Sequence, residues 1–324
     1  MAYNLDSQEL ESKVLETTDA LILCTRNRAQ QLQSRLAEYR CFEVLPSVIL
    51  IVDSSDNDDT RMVVTRASQD STSPVSYLRT SPGLPHQRNV GVSWVRNNYP
   101  DLELIHFLDD DIIPMSDYFS HVRQICRDFP NVIAVGGFDS ELNPEQNRGL
   151  MKRICGIGSK NYGVILSSGI AIPAHPRHNI EDSEWLVGGM QSVRTWAFDH
   201  VQFDASLRMY GEDVDFYMRI RDLGDVVCSR NLPVKHLNDP SNRDSWREIH
   251  LYHNGIRWLL ARRYPDRISL IRVLQVALVL ALGELVLYMR THDIRHRAAS
   301  RGNVEFLYRI AIGQPVVQFV DGGK

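Results

Sequence analysis

The run Val48-Ile49-Leu50-Ile51-Val52 constrains the fold more than any other stretch of this 324-residue chain. It is β-branched and uninterrupted by polar residues, so as a strand it must be covered on both faces, the condition of a parallel sheet held between helices. It ends in Asp53-Ser54-Ser55. The design recurs at Asp19 to Cys24, which runs into Thr25-Arg26-Asn27-Arg28 and then into a polar segment with helical spacing at Leu32, Leu36 and Tyr39. Val75 to Arg79 and Leu102 to Leu108 read as two more strands, and between them Val90, Trp94 and Val95 give Gln87 to Asn98 one apolar stripe. Alternating strands and helices predict a mostly parallel, Rossmann-like α/β/α sheet with helices on both faces. Further on, Val132 to Gly137 reads as a strand and Glu141 to Tyr162 as a mobile loop. Gly211-Glu212-Asp213 opens a helix carrying Phe216, Ile220 and Leu223, with Gly224 at its C′ position.

The apolar run Leu102 to Leu108 ends in Asp109-Asp110-Asp111. Three adjacent carboxylates repel one another unless a cation sits among them, and a divalent metal is the natural occupant. An acidic turn in solvent has the same composition. Ile112-Ile113-Pro114 should stop the strand, leaving the acids on the loop at its carboxyl end, where open α/β sheets bind ligands. Together with Thr25 to Arg28, Asp53-Ser54 and Arg88-Asn89, they line a switch point able to hold a base, ribose, phosphates and a metal. Neither a G-x-G-x-x-G nor a G-x-x-x-x-G-K-[ST] loop occurs, which disfavours dinucleotide and P-loop enzymes.

A second acidic group, Glu212-Asp213-Val214-Asp215, sits in a first helical turn, where the helix dipole should hold carboxylates ionised, as a general base requires; acids there also serve simply as caps. His236 follows a short apolar segment and can complete a metal shell, although such a histidine is as readily structural.

The formal charge of -4 hides an asymmetry: residues 241–324 are +6 and the rest -10. A basic tail on an acidic body suggests anionic lipid or an anionic substrate near the tail more than nucleic acid. Ile268 to Met289 is nearly all apolar, but Arg272, Gln275 and Glu284 inside it favour a helix lying in the membrane plane or packed on protein over a spanning one. Arg257, Arg262, Arg263, Arg267 and Arg272 flank it, so peripheral membrane contact through 257–289 is expected; packing on the catalytic domain or in a homodimer interface is the other reading. The five cysteines, odd in number and without a C-x-x-C pair, read as reduced, mostly buried thiols of a cytosolic protein, and the polar start from Met1 to Val14 argues against secretion.

In order and context these segments resemble the inverting family-two glycosyltransferases of the GT-A fold, over roughly residues 18–240. Leu23-Cys24-Thr25-Arg26-Asn27-Arg28 looks like that family's first strand and T-x-N-R-type loop, and Val52-Asp53-Ser54-Ser55 like its V-D-N-x-S element. Gly83-Leu84-Pro85-His86-Gln87-Arg88-Asn89-Val90-Gly91 looks like its G-x-x-x-A-R-N-x-G segment, and Phe107-Leu108-Asp109-Asp110-Asp111 like its D-x-D motif. Gly188 to Arg194 and Tyr210-Gly211-Glu212-Asp213-Val214-Asp215-Phe216 look like its acceptor-side G-x-x-x-x-x-R and G-E-D-x-D-L stretches. Cys24 and Gln87 depart from the usual residues, and Asp199 to Asp204 lacks the glycines of G-G-F-D.

The resemblance implies a metal-dependent, inverting, hexosyltransferase-like enzyme that moves a sugar from a UDP-, dTDP- or GDP-sugar to a hydroxyl of a glycan or lipid-linked glycan of the cell envelope, in the cytoplasm or at the inner membrane face. It implies Asp213 as catalytic base; Asp53 on the nucleobase; Thr25 and Arg26 along the nucleoside; Arg88 on base or diphosphate; and Asp110 at the ribose. Asp109 and Asp111, with His236, would hold Mg²⁺ or Mn²⁺, and Gly189, Met190 and Glu212 would meet the acceptor. Residues 1–115 would form the donor half, 116–240 the acceptor half with the base, and 241–324 a helical C-terminal region. A sugar-phosphate nucleotidyltransferase would use the same sheet but carry a Gly-rich loop where Thr25 to Arg28 stands. A non-catalytic carbohydrate-binding module would have no reason to keep both acidic groups.

Overall fold

A computed structural model describes residues 18–143, 149–207, 210–237 and 245–316. The apolar run at Val48 forms β2 (Val48–Asp53) beside β1 (Asp19–Thr25), in parallel register with Ala20 opposite Val48 and Thr25 opposite Asp53; α1 (Ala29–Tyr39) makes the crossover. After α2 (Asp59–Asp70), β3 (Val75–Arg79) extends the sheet outward from β2, and after α3 (Leu84–Asn98), β4 (Leu104–Leu108) pairs with the other side of β1. Parallel pairing brings the polar carboxyl ends of these strands to one edge.

The second half of the chain completes the same sheet. Its elements are β5 (Ile112–Pro114), α4 (Tyr118–Asp128), β6 (Val132–Asp139), α5 (Leu150–Ile154), β7 (Val164–Ile165), β8 (Ala171–Ile172), β9 (Ile180–Asp182), β10 (Met190–Arg194), α6 (Glu212–Ile220) and β11 (Asp225–His236). Among the described residues the sheet has nine strands in the order β3-β2-β1-β4-β10-β6-β11-β5, with β9 on β11. β10 runs antiparallel between β4 and β6, so the sheet is mixed. Pro114 does not simply end a strand as expected: Ile112 to Pro114 pairs antiparallel with β11, bringing Ile112 opposite His236.

Alternate residues feed two cores. Ala20, Ile22, Leu50 and Val52 face α3, α6 and the C-terminal helices, while Leu21, Leu23, Ile49 and Ile51 face α1, α2 and α4. Under the second core lies a closed polar network far from the strands' carboxyl ends: Asp19 accepts from His106 Nε2 at 2.7 Å and from Arg123 Nε at 2.8 Å.

Beyond β11, α7 (Trp246–Arg263), α8 (Leu270–Thr291) and α9 (Ile294–Ala311) form a helical appendage. Ser245 and Glu248 make a capping box that starts α7. Small residues on α9 allow close crossing: a Cβ on Gly302 would strike the Arg247 carbonyl, Ser300 Oγ donates to Ala281 O at 2.9 Å, and Asn254 donates to Asn303 at 2.6 Å. Among the described residues α8 is long and apolar enough to cross a membrane, yet only 22% of its apolar window is buried.

Some local expectations change. Part of the segment read as loop after Glu141 is helical in α5, with 144–148 outside the described residues. Gly224 is not a C′ cap, because α6 ends at Ile220. All five cysteines are unpaired, but Cys41 is exposed. Met1 to Val14 and the expected boundary between residues 240 and 241 lie outside the described residues.

Candidate active site

The carboxyl edge of the sheet opens into a cavity of about 1160 Å³. Single small-molecule pockets run to about 300–1,000 Å³, so this one has room for two substrates. Asp109, Asp110 and Asp111 line it together with Glu212 and Asp213. The two acidic groups, about a hundred residues apart in sequence, thus share one cleft.

Two adjacent glycines join them. Gly188 N–H donates to Asp213 Oδ2 at 3.1 Å, and Gly189 O accepts from Asp109 N–H at 3.0 Å. A Cβ on Gly189 would overlap the Asp109 carboxylate, and one on Gly188 would stand 2.6 Å from Arg88 Nη1. Only glycine leaves room for both side chains.

On the sheet side, β1 ends in Thr25, whose hydroxyl donates to Asp110 at 2.6 Å; Arg28 adds a hydrogen bond to Asp110 at 2.8 Å and an ion pair to Asp111 at 3.4 Å. Asn27, at φ 55°, turns the loop so that its backbone N–H meets Ser55 Oγ and its amide meets Asp56. Asp109 faces the cavity with 39% of its side chain accessible, yet the walls remove enough water to push its carboxyl up to about 6, with Asp111 and Asp110 adding repulsion against the pull of Arg88. Burial likewise raises Asp110. Burial also pushes Asp111 up, but the His236 hydrogen bond and charge outweigh it, and Asp111 lies below the usual range. His236 Nε2 is 3.4 Å from Asp111 and is raised in turn by that bond.

Among the described residues, no group of three or more His, Cys, Asp or Glu side chains is assembled as a ready metal cage. The donor set still suits a hard cation of the Mg²⁺ type, which takes one or two carboxylates and completes its shell with substrate phosphates and water. The mutual repulsion that raises Asp109 is relieved by such a charge.

On the opposite side, Gly211 takes φ 78° at the start of α6 and aims Glu212 and Asp213 at the cleft. Arg88 on α3, fully buried, donates to Glu212 Oε1 at 2.8 Å and stands 3.8 Å from Asp109 and 5.3 Å from the Phe203 ring centre. Glu212 Oε2 has no hydrogen-bond partner among the described residues. The expectation that the helix dipole would hold Asp213 ionised is not met. Burial, then repulsion from Glu212, pushes its carboxyl up to about 7, against the Val214 and Gly188 N–H groups that accompany it. A base poised near neutrality is better matched to proton abstraction than a fully acidic one.

Two of the predicted contact residues lie off the cavity lining. Asp53 is wholly buried, and its carboxylate accepts from Ser55 N–H, Ser55 Oγ and Tyr77 OH. Met190 points into the core below β10, so among the acceptor candidates Gly189 and Glu212 line the cleft and Met190 does not. Thr25, Arg26, Arg88, Asp110 and His236 are all on its wall. The sequence places Arg28 in the loop after β1 without a role of its own and Arg257 only in the basic tail, and no motif marks His253; all three line the cavity, the last two carried there by α7.

Residues 20–185 match the family model described as glycosyl transferase family 2. No curated protein matches the chain in sequence. Among solved structures, the chain is similar to the mannosyltransferase PcManGT from Pyrobaculum calidifontis in complex with GDP-Man and Mn²⁺, at 14% identity and TM-score 0.57, covering 93% of this chain and 94% of that one. It is also similar to S. aureus TarS 1-349 in complex with UDP-GlcNAc, at 13% identity and TM-score 0.50, covering 92% of each chain. Likeness at such identity speaks to the fold, the GT-A arrangement of sheet and helices.

Proposed function

The chain belongs to glycosyl transferase family 2, and we propose that it transfers a sugar from a nucleoside-diphosphate sugar to an acceptor hydroxyl by direct, inverting displacement. The observation that carries this reading is the convergence of Asp109 to Asp111 and Asp213 on one two-substrate cavity. Two titratable groups with opposed tasks belong on opposite sides of such a reaction.

Asp213 is the base. It takes the proton of the acceptor hydroxyl as that oxygen attacks the anomeric carbon, and the bond from that carbon to the diphosphate oxygen breaks on the far side with its electron pair. Glu212, held by Arg88, keeps Asp213 basic enough by its charge, and Gly188 N–H orients the carboxylate. On the donor side Thr25, Arg26 and Arg28 flank the nucleoside and diphosphate, with Asp110 held in place by Thr25 and Arg28. Asp109 and Asp111, with His236, would hold Mg²⁺ or Mn²⁺, which supplies positive charge to the departing diphosphate. His236 apart, residues 18–115 serve the donor and 116–237 the acceptor.

A site of action at an anionic membrane face is favoured by α8. Ile271, Leu278, Leu282, Leu285 and Met289 recur at helical spacing and are all exposed, with Arg272 and Arg290 exposed near the two ends. The acceptor is then a lipid-linked or envelope glycan reached from the cytoplasmic side.

The test is donor turnover. Incubating the full chain with UDP-, dTDP- and GDP-sugars and Mg²⁺ or Mn²⁺ should release nucleoside diphosphate from one of them, and anomer analysis of the product by NMR should show inversion. Absence of release and of binding across the panel overturns the transferase reading; retention overturns direct displacement.

A further inference from the structure

Resting on the transferase reading, we infer that Arg257 and His253 on α7 form an anion subsite at the acceptor end of the cleft, and that the acceptor carries a phosphate beside the hydroxyl it offers.

Arg257 lines the cavity and has no acidic partner among the described residues; its described hydrogen bond is to Asn254 Oδ1 at 3.0 Å. The other arginines on the cavity wall are answered: Arg26 by Asp56, Arg28 by Asp110 and Asp111, Arg88 by Glu212. Desolvation pushes the Arg257 guanidinium down to about 10, which leaves it charged at neutral pH. Arg257 is half-buried, and a guanidinium on a cavity wall without a counter-charge favours an anionic ligand that supplies one. One turn earlier, His253 lines the same cavity with Nε2 buried and unpartnered, and burial pushes its ring down to about 3, so it stands neutral. A neutral imidazole can donate one hydrogen bond to an anion's oxygen while the guanidinium offers its planar fork, the geometry that suits phosphate.

The position assigns the anion to the acceptor. Ile256, next to Arg257, packs so tightly on Gly211 that a Cβ there would overlap it, and Gly211 is the residue that starts the turn bearing Glu212 and Asp213. The stem of Arg257 lies against Gly169, 3.1 Å from where a Cβ would be. Beside it the wall turns apolar with Ile170, Trp185, Val187 and Leu260. Arg257 therefore belongs to the base's side of the cleft, across from the loops of β1 and β4 that face the donor.

The shared chemistry is a phosphate ester, borne by an isoprenoid or by a glycan. With the full chain saturated in the nucleoside diphosphate that binds it, calorimetric titration of inorganic phosphate should show saturable binding that Arg257→Gln weakens roughly tenfold or more, the scale of one charge-assisted hydrogen-bonded pair. Arg257→Lys should retain most of it. Nucleoside-diphosphate affinity should be equal in all three proteins, which also reports that the variants are folded. Farnesyl phosphate and glucose 1-phosphate form two further arms; whichever gains most over inorganic phosphate, in an Arg257-dependent way, names the source. Phosphate binding unchanged in Arg257→Gln overturns the inference. So does a parallel loss of nucleoside diphosphate, which would move Arg257 to the donor. If the wild-type chain binds no nucleoside diphosphate, the transferase reading fails separately, and the phosphate titration is read without nucleotide.

Discussion

Arg88 and Glu212 meet at 2.8 Å across 124 residues of sequence, both side chains almost wholly out of solvent. The pair joins α3 to α6 beside the cleft, and Asp109 lies within 3.8 Å of the same guanidinium. Desolvation works against the Arg88 charge, but Glu212 and Asp109 together raise its proton affinity above the ordinary value. Breaking such a pair from one side leaves an uncompensated buried charge. Arg88→Met should lose about 3–5 kcal/mol in urea unfolding, and Arg88→Met/Glu212→Leu should recover most of that without recovering turnover. Equal stability of the single and double variants would deny the pair this role.

Turnover should rise with pH through about 7 as Asp213 loses its proton. In Asp213→Asn that limb disappears and turnover falls by about 10²–10⁴-fold, with donor affinity near normal. Stability moves the other way. The folded carboxyl titrates above its unfolded value, so wild type loses stability as pH rises from about 4 to about 7. Thermal midpoints should show Asp213→Asn level with wild type at acid pH and gaining across that window.

Gly189→Ala should damage the donor site without unfolding the protein. The new methyl overlaps the end of the Asp109 side chain, which must swing away. The donor KM should rise at least about tenfold while the circular dichroism spectrum and melting temperature stay close to wild type, an effect of misplacement by an ångström or so. An unaltered KM would show that Asp109 does not act where it stands.

Asp111→Ala removes one partner each of His236 and Arg28, the latter keeping Asp110. Calorimetry with the turned-over nucleotide sugar should then lose its dependence on Mg²⁺ or Mn²⁺, and chelation of wild type should reproduce the loss. A titration unchanged by the substitution would remove Asp111 from the cation site.

Liposomes rich in anionic lipid should co-sediment the full chain at low salt and release it at high salt, since lysine- and arginine-mediated attachment is screened within about 10 Å at 0.1 M. Replacing Leu278 and Leu282, both exposed on α8, with glutamine should abolish co-sedimentation and leave donor turnover intact. Unaltered binding would place the contact elsewhere.

Much of this protein was written in local pattern. The unbroken run at Val48 predicted a strand buried on both faces, and the structure covers it so, with even and odd residues feeding separate cores. The family, the GT-A sheet and the acidic residues at strand and helix ends were likewise legible, because apolar periodicity and a cluster of like charges are properties of neighbouring residues. Three-dimensional packing decided the rest. Asp53 and Asp110 look alike in sequence, each an acid at a strand's end, yet Ser55 and Tyr77 close over the first while the second reaches the cavity. Met190 follows two glycines of the cleft but alternates into the core. Asp213 lies in a helical first turn that should favour its charge, and burial beside Glu212 overrides the dipole because desolvation by the cleft wall outweighs a partial charge at a helix end. Arg257 reads as one arginine of a basic tail until α7, 44 residues beyond Asp213, packs its neighbour Ile256 on Gly211 and its own stem against Gly169. Burial and long-range pairing depend on which surfaces fold together, and no window of sequence contains that.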